Sequence, residues 1–259
     1  MRETLARAWR IFGAGLCFAL FGIGGVLLRV AVFPLLTLAY RDPARRRSVA
    51  QRIISRSFRG FVDIVQMFGV ITYEVTGADR LERDGLLILA NHPSLLDVVL
   101  LIAFVKRCTC IVKAPLARNP FTRGPVRSAG YICNDEGPGL VEDCVATLRD
   151  GQNLLIFPEG TRSRPGAPLR MQRGAANVAV RARRDITPVV VHCVPPFLTK
   201  LQGWWYEIPP RAVRYRIEVR DDIPVGAFVD SARSDALAAR QLTDHLKHYF
   251  EAELHDAHA

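Results

Sequence analysis

The pattern of apolar and polar positions divides this chain into two unlike parts, and the first part is almost wholly apolar. Residues 11–28 contain no charged side chain, and the apolar character resumes after Arg29 as far as Tyr40. A helix needs about 20 apolar residues to cross a bilayer, so this run is long enough to span once. Arg29 and Pro34 interrupt the longer run, and arginines flank both of its ends. Because basic flanks on both sides disfavour translocation of either one, the pattern favours a re-entrant or interfacial helical hairpin, with a single span as the alternative.

A second pattern lies between residues 45 and 68, where apolar side chains recur at helical spacing opposite a row of arginines. The apolar positions are Val49, Ile53, Phe58, Phe61, Val65 and Phe68. The opposite face carries Arg45, Arg52, Arg56 and Arg59. This spacing predicts a basic amphipathic helix whose apolar stripe faces anionic lipid, the rest of the protein, or both.

From residue 70 onward, short apolar runs alternate with helical patterns, which is typical of a layered α/β fold with helices on the faces of a sheet. The predicted strands are residues 71–75, 86–90, 108–112, 131–133, 154–157, 187–192 and 215–219. The clearest predicted helices are residues 95–105, 140–149, 175–183 and 235–254. We therefore predict a membrane-associated hydrophobic hairpin and basic helix over residues 1–68, followed by one α/β domain over residues 69–259.

Composition limits the partners that such a chain can have. The 259 residues carry a formal net charge of +10, and arginine supplies most of the 35 cationic side chains. This charge suits the phosphate groups of lipid or nucleic acid. The sequence contains no nucleic-acid motif, and Trp204, Trp205 and Tyr206 are not interleaved with the basic runs, so lipid is the favoured partner. Six cysteines form no Cys-x-x-Cys pair and have no histidine at metal spacing, which predicts reduced, mostly buried thiols and no metal site.

Two polar segments directly follow apolar runs and hold the residues best suited to chemistry. They are Asn-His-Pro-Ser-Leu-Leu-Asp at residues 91–97 and Phe-Pro-Glu-Gly-Thr-Arg-Ser at residues 157–163. Since ligands of layered α/β folds bind beyond the carboxyl ends of strands, we expect His92 and Glu159 at one rim of the sheet. An imidazole suits proton transfer near neutral pH, and a bend at Pro93 and Ser94 could return the Asp97 carboxylate to the ring. The alternative is that Ser94 and Asp97 form only a helix capping box.

These segments resemble the NHxSxxD and FPEGTRS signatures of the glycerolipid acyltransferases, typified by lysophosphatidate acyltransferase. The resemblance implies a membrane enzyme of phospholipid biosynthesis that moves a fatty or polyene acyl group from a thioester to a hydroxyl of a lyso-glycerolipid such as 1-acyl-glycerol-3-phosphate. His92 and Asp97 would form its general base pair. No metal or redox cofactor is expected, because the co-substrate, acyl-coenzyme A or an acyl carrier protein thioester, supplies the activated acyl group. The acceptor-binding residues implied by the resemblance are Glu159, Gly160, Thr161, Arg162 and Lys113.

The sequence departs from the family pattern in two places. Glu136 stands where the family has an arginine, and the usual Lys-x-Glu-Leu is here Lys-Ala-Pro-Leu, beginning at Lys113. Residues 113–119 and 130–135 are similar to the acyltransferases of bacterial aryl-polyene lipid clusters, which implies a polyene or fatty acyl chain delivered by acyl carrier protein. Because basic residues flank both ends of the apolar run, we expect the protein on the cytoplasmic face of a bacterial inner membrane. Two alternatives stay open, a coenzyme A-independent phospholipid transacylase and a non-catalytic basic protein that binds membranes or nucleic acid. The sequence predicts no particular oligomeric state.

Overall fold

A seven-stranded sheet forms the centre of the computed structural model, which describes residues 2–134, 139–202, 204 and 206–256. The strands within these residues are β1 Ile71–Thr76, β2 Leu87–Ala90, β3 Cys108–Val112, β4 Ile132–Cys133, β5 Asn153–Ile156, β6 Ile186–Val194 and β7 Val213–Val219. Their order across the sheet is β1-β7-β6-β2-β5-β3-β4. The five strands from β6 to β4 in this order run parallel, whereas β7 and β1 run in the opposite direction. The carboxyl ends of β2, β5 and β3 therefore meet at one edge of the sheet.

Helices cover both faces of this sheet. They are α1 Arg2–Leu27, α2 Phe33–Ala39, α3 Pro43–Met67, α4 Asp97–Phe104, α5 Ala114–Arg118, α6 Arg123–Ser128, α7 Leu140–Arg149, α8 Arg173–Ala182, α9 Gly226–Ser231 and α10 Asp235–Asp256. Along β2, Ile88 and Ala90 join the core under α3 and α4, while Leu87 and Leu89 join the core under α7, α8 and α10. A strand that is buried on both faces is apolar at every position, which is why the sequence shows β2 as a continuous apolar run.

The predicted layered α/β fold is confirmed, and each predicted strand is present with its ends shifted by at most two residues. The four helices that the sequence indicated most clearly are also present. The short helices α5, α6 and α9 were not predicted individually. Each spans only five or six residues, too few to show a helical period, and α5 and α6 both contain a proline.

The apolar run does not fold back on itself at Arg29 and Pro34, as the hairpin prediction expected; it forms the long first arm of a hairpin whose second arm is α3. A π-helical turn over Leu28–Val32 joins α1 to α2, so that Thr4–Ala39 is one apolar helix, long enough by length and composition to cross a membrane. The wider turn stands just before Pro34, whose missing N–H would interrupt an α-helical ladder at that point. The chain reverses only after Ala39, where the Asp42 carboxylate accepts hydrogen bonds from the first N–H groups of α3.

The second arm of the hairpin, α3, packs on both the first arm and the sheet. Phe21 of α1 stacks against Phe58 of α3, and Trp9 contacts Phe68. Because the earlier residue of α1 meets the later residue at the end of α3, these two contacts show that the arms run antiparallel. The most buried residues of α3 are Ala50, Gln51, Ile54, Val62 and Val65. Of the predicted apolar stripe, Val65 is buried and Phe58, Phe61 and Phe68 are partly buried against the same core, so this part of the stripe faces protein. The arginines at positions 45, 52, 56 and 59 are exposed.

Glycines allow the first arm to approach the α/β domain closely. A Cβ added to Gly25 would lie 2.1 Å from the carbonyl oxygen of Phe121, and one added to Gly124 would lie 2.5 Å from the Cβ of Arg29. Side chains from both predicted parts of the chain share one core. The division at residues 68 and 69 stays a prediction.

Candidate active site

The two polar segments meet at the edge formed by the carboxyl ends of the parallel strands. His92 lies two residues beyond β2, and Glu159 lies three residues beyond β5, which pairs directly with β2. Lys113 follows β3 at the same edge, one strand beyond β5, and its side chain is exposed. Within the residues that the structure describes, no hydrogen bond or ion pair joins Lys113 to His92 or Glu159. The fold thus brings the two segments together and leaves the lysine at the side.

His92 and Asp97 are in direct contact. The distance between His92 Nδ1 and Asp97 Oδ2 is 2.9 Å, and the exposed fractions of the two side chains are 13% and 0%. The chain bends at Ser94, whose N–H donates a hydrogen bond of 2.7 Å to the same Asp97 oxygen, and the helix α4 begins at Asp97. The Ser94 hydroxyl in turn accepts a hydrogen bond from the Leu96 N–H at 3.3 Å. Only half of the predicted capping box is formed, because the Asp97 N–H donates to the Ser94 carbonyl at 3.4 Å and not to its hydroxyl. The Asp97 oxygen that accepts from the Ser94 N–H also contacts His92, so the two interactions coexist.

The environment of Asp97 strengthens this contact. Burial raises the pKa of the Asp97 carboxyl group, and the hydrogen bonds from His92 and the Ser94 N–H, together with the charge of Arg162, oppose that rise. The second oxygen, Oδ1, is buried and has no hydrogen-bond partner among the described residues. A buried carboxylate with a raised pKa attracts a proton more strongly than an exposed one does. Asp97 is therefore suited to orient the imidazole and to stabilise its protonated form.

The second segment holds His92 from the other side. The His92 ring stacks on Phe157 with a centroid distance of 4.2 Å, and the backbone N–H of His92 donates to Glu159 Oε1 at 2.9 Å. Ser163 completes the clamp, because its N–H donates to the His92 carbonyl at 2.7 Å and its hydroxyl donates to Glu159 Oε1 at 2.8 Å. Burial raises the pKa of Glu159, opposed by these two hydrogen bonds. One oxygen of Glu159 is thus engaged in fixing the backbone of His92.

Arg162 is anchored by a loop that follows β6. Its Nη1 donates to the carbonyl oxygens of Leu198 at 2.7 Å and Thr199 at 3.0 Å. Its Nε and Nη2 have no hydrogen-bond partner among the described residues, so this part of the guanidinium is available to a ligand. The Gly160 N–H, by contrast, donates to the Phe157 carbonyl at 3.0 Å and is used within its own turn. The Thr161 side chain is half-buried beside it.

Two further residues support the site, and sequence reasoning did not single out either of them. Asn91 joins β2 to β6, because its side-chain amide donates to the Val191 carbonyl at 2.8 Å and accepts from the Val191 N–H at 2.7 Å. Tyr215 of β7 is fully buried and donates from its hydroxyl to the Ser94 hydroxyl at 2.6 Å. The position of Asn91 beside His92 is a local signal, whereas nothing in the sequence links Tyr215 to a residue 121 positions earlier.

The remaining predictions about the site concern metal ions, cysteines and Glu136. No group of three or more potential metal ligands is found in the described part of the chain. Five of the six cysteines are buried, and burial raises the pKa of Cys110 and Cys144 to about 12, so these thiols stay protonated at neutral pH. Glu136, the departure from the family pattern, lies outside the described residues.

Comparison with known proteins places this geometry in context. A family model described as Acyltransferase matches residues 72–192. The putative 1-acyl-sn-glycerol-3-phosphate acyltransferase acl-2 of Caenorhabditis elegans is 30% identical over 70% of this chain and 68% of its own length. The 1-acyl-sn-glycerol-3-phosphate acyltransferase of Helicobacter pylori is 30% identical over 64% of this chain and 70% of its own. The crystal structure of the 1-acyl-sn-glycerophosphate acyltransferase of Thermotoga maritima shares the fold, with a TM-score of 0.68 over 97% of this chain and 95% of that one at 18% identity.

Proposed function

This chain belongs to the glycerolipid acyltransferase family, and from that premise we propose that it transfers an acyl group from a thioester to a hydroxyl of a lyso-glycerolipid such as 1-acyl-glycerol-3-phosphate. The observation that carries the proposal is the 2.9 Å contact between His92 Nδ1 and the buried Asp97 carboxylate. With Nδ1 engaged in this way, Nε2 is the ring nitrogen left to act on the substrate. This arrangement is that of a general base with its orienting acid.

The transfer follows directly from these roles. His92 Nε2 removes the proton of the acceptor hydroxyl as its oxygen attacks the thioester carbonyl carbon. The carbon–sulfur bond then breaks, and the imidazolium returns its proton to the departing sulfur, so that an ester and a free thiol are formed. Asp97 stabilises the imidazolium during the step. No Gly-x-Ser-x-Gly elbow surrounds Ser94, and its hydroxyl is tied to Tyr215, which supports transfer without an acyl-enzyme.

Acceptor binding is proposed for the segment around Arg162. The unengaged part of its guanidinium offers donors in the planar arrangement that suits phosphate oxygens, and Lys113 adds an exposed positive charge at the same edge of the sheet. Thr161 supplies a hydroxyl close by. Glu159 and Gly160 contribute by shaping the turn, because the Glu159 carboxylate fixes the base and the Gly160 N–H closes the turn on Phe157.

The hairpin is proposed to place the enzyme on a bacterial inner membrane, with the catalytic domain on the cytoplasmic face. Thr4–Ala39 has a mean hydropathy of 2.3 in its most apolar window, of which only 11% is buried against protein. Large apolar side chains such as Trp9, Phe12 and Leu38 are exposed along it. An uncovered apolar surface of this extent fits lipid as its partner. In this proposal residues 1–68 contact the membrane and residues 69–259 carry out the reaction.

The donor is either acyl-coenzyme A or acyl carrier protein. The net charge of +10 suits both, since acyl carrier protein is acidic and coenzyme A carries phosphates. The resemblance of residues 113–119 and 130–135 to the aryl-polyene group supports acyl carrier protein as the donor and a polyene or fatty acyl chain.

Thiol release tests this proposal. The purified full-length chain in non-ionic detergent is offered acyl-coenzyme A or acyl carrier protein thioester together with a panel of lyso-glycerolipids, and the same assay is run on His92→Ala. We expect release that depends on the acceptor and that the substitution abolishes. Thiol release without acyl transfer to the acceptor would contradict the proposed mechanism. So would thiol release that His92→Ala retains.

Analysis of the lipid products in the same preparations separates the alternatives, because acyl transfer between phospholipids releases no thiol. A transacylase would move acyl groups between phospholipids when no thioester is added. A non-catalytic binding protein would show no turnover with any pair, and its His92→Ala variant would bind lipid or nucleic acid as the wild type does. In each case a folded protein is confirmed by its thermal unfolding transition.

A further inference from the structure

A second cluster of positive charge lies far from the candidate active site, in a cavity of about 150 Å³ between α2, the start of α3 and the end of α6. Three arginines line it, Arg46 and Arg47 from α3 and Arg127 from α6. Phe33 and Leu36 of α2 supply apolar surface on another side. The cavity therefore has a cationic part and an apolar part within one small volume.

The described lining of this cavity carries positive charge and no negative charge. Its described lining residues include no carboxylate, and none of the three arginines forms an ion pair within the described residues. Asp42 is close in sequence, but its two carboxylate oxygens accept hydrogen bonds of 3.1 Å from the N–H groups of Ala44 and Arg45. Three guanidinium groups that share a cavity repel one another, so an anion that entered it would relieve this repulsion.

The side chain of Arg47 passes close to the backbone at Gly130. Its side chain lies across Gly130, where an added Cβ would be 2.6 Å from Arg47 Nε, and Gly130 has a φ of +67°. Any other residue at this position would displace the guanidinium group and would also be strained. The cavity also has an uncommitted donor, since the Ser128 hydroxyl has no hydrogen-bond partner in the described part of the chain.

The cavity lies at the opposite edge of the sheet from His92. Gln51, next to the cavity on α3, donates hydrogen bonds to Thr109 at the start of β3, to the Ala129 carbonyl before β4 and to Gln152 before β5. These contacts mark the amino ends of the parallel strands, whereas His92 follows a carboxyl end. The cluster therefore cannot be the phosphate grip of the acyl acceptor at the active site.

The position of the cavity indicates what kind of anion it takes. It opens beside α2, the last turns of the apolar helix Thr4–Ala39, where a membrane-contacting helix ends and arginines begin. Arginine forks match phosphate oxygens, and the apolar side provided by Phe33 and Leu36 suits the carbon chain attached to a phosphate group. Basic pockets at the ends of membrane helices are favourable places for lipid headgroups, which the surrounding bilayer supplies at high local concentration.

We propose that this cavity binds the phosphate group of an anionic phospholipid, and that the bound lipid fixes the hairpin turn against α6. Arg47 and Arg127 hold the phosphate from two sides, Arg46 adds charge, and the lipid glycerol and first carbons lie along Phe33 and Leu36. The lipid here is a structural ligand and not a substrate. The site is independent of the proposed acyl transfer, so either can fail without the other.

Calorimetric titration of the full chain in non-ionic detergent tests the site. The probes are a short-chain phosphatidylglycerol below its critical micelle concentration, the matching phosphatidylcholine, and inorganic phosphate. The test variant is Arg47→Gln/Arg127→Gln. The control is Arg52→Gln/Arg56→Gln, which removes the same charge from exposed positions of α3 outside the cavity.

We expect phosphatidylglycerol to bind the wild type and the control more tightly than the other two probes do. Loss of two arginines that hold the phosphate should weaken binding at least about tenfold, because each donates charge-assisted hydrogen bonds to it. Bound phosphatidylglycerol should also raise the midpoint of thermal unfolding, because it binds only the folded chain. If the double variant unfolds at a lower temperature than the control, the single variant Arg46→Gln takes its place in the titration. This variant should also weaken phosphatidylglycerol binding, by a smaller factor.

Three results would overturn the proposal. Equal weakening in the test and control variants would mean that only the overall charge matters. Equal affinity for inorganic phosphate and phosphatidylglycerol would mean that the cavity takes a free anion and not a lipid. Equal affinity for phosphatidylcholine and phosphatidylglycerol would mean that the headgroup charge is not recognised.

Discussion

Replacement of Asp97 by asparagine is the most informative perturbation of the candidate active site, because it preserves shape and removes charge. One oxygen of Asp97 accepts hydrogen bonds from the Ser94 N–H at 2.7 Å and from His92 Nδ1 at 2.9 Å. If the asparagine oxygen takes this place, its NH₂ group lies where Asp97 Oδ1 is buried without a partner. That orientation costs about 1–3 kcal/mol of stability for the unsatisfied group. If the amide is reversed, it presents a donor to the Ser94 N–H and forces the histidine proton onto Nε2, which removes the base.

The expected loss of activity follows from the lost charge. A carboxylate and an imidazolium whose charge centres are about 4 Å apart interact by about 4 kcal/mol at an effective dielectric constant of about 20. The hydrogen bond to a neutral amide retains part of this interaction, so we expect the barrier to rise by about 3–4 kcal/mol. This corresponds to a fall in kcat of about 10²–10³-fold. KM should change little, since no acceptor-binding group is altered.

The assay is the initial rate of thiol release over a range of acceptor concentrations, with thermal unfolding of the same preparations. Ser94→Ala is the matched control, because it removes the hydroxyl that accepts hydrogen bonds from the Leu96 N–H and from Tyr215 but keeps the backbone N–H and the His92–Asp97 contact. We expect this control to lose stability and to lose less kcat than Asp97→Asn does. If Asp97→Asn retained kcat within about tenfold of the wild type while His92→Ala abolished turnover, Asp97 would be a helix cap and not a catalytic partner.

Three further substitutions test other parts of the structure. Glu159→Gln should become more stable relative to the wild type as the pH rises above 4.5, because burial raises the pKa of the Glu159 carboxyl group in the folded state and only the wild type has to ionise it. Urea unfolding at several pH values measures the difference in unfolding free energy between the two proteins. A difference that did not grow with pH would contradict the burial argument. Arg162→Lys should raise KM for a phosphate-bearing acceptor by about tenfold and leave a phosphate-free acceptor unaffected, since lysine cannot bind two loop carbonyls and a phosphate through one planar group; an equal effect on both acceptors would argue against phosphate contact. Gly25→Leu should release the first arm of the hairpin from Phe121, because even a Cβ at this position would lie 2.1 Å from the Phe121 carbonyl oxygen. The variant should therefore be cleaved faster by protease within α1. Gly24→Leu is the control and should not be cleaved faster, because its position has open space around it.

Local pattern was sufficient for the strands and for the identity of the two active-site segments. The parallel strands are buried on both faces, so each shows as a short apolar run whose length alone distinguishes it from a helix. The flanking arginines favoured a hairpin within the apolar run, bent at Arg29 and Pro34, but that run is one helix and the chain reverses only after Ala39. A π-helical turn accommodates the proline, and such a backbone adjustment has no distinct signal in a single sequence.

The candidate site was predictable only as far as its two segments. His92 and Asp97 are five positions apart, and the residues at the bend between them made their contact a reasonable expectation from sequence. The anchoring of Arg162 by the carbonyls of Leu198 and Thr199, and the support of Ser94 by Tyr215, join residues that are 36, 37 and 121 positions apart. Resemblance to a family identified the candidate site residues, and it did not show which of their atoms form hydrogen bonds within the protein.

The sequence by itself therefore determined the fold class, the apolar helix with its basic flanks, and the base and acid at the end of β2. These depend on burial periodicity, on composition and on residues within one turn of each other. The tertiary structure alone decided that β5 lies beside β2, that Glu159 fixes the His92 backbone, and that Arg46, Arg47 and Arg127 share one cavity. Such pairings depend on the order of strands in the sheet and on how helices pack over it, and the free energy of that packing is distributed over many distant residues rather than carried by any local pattern.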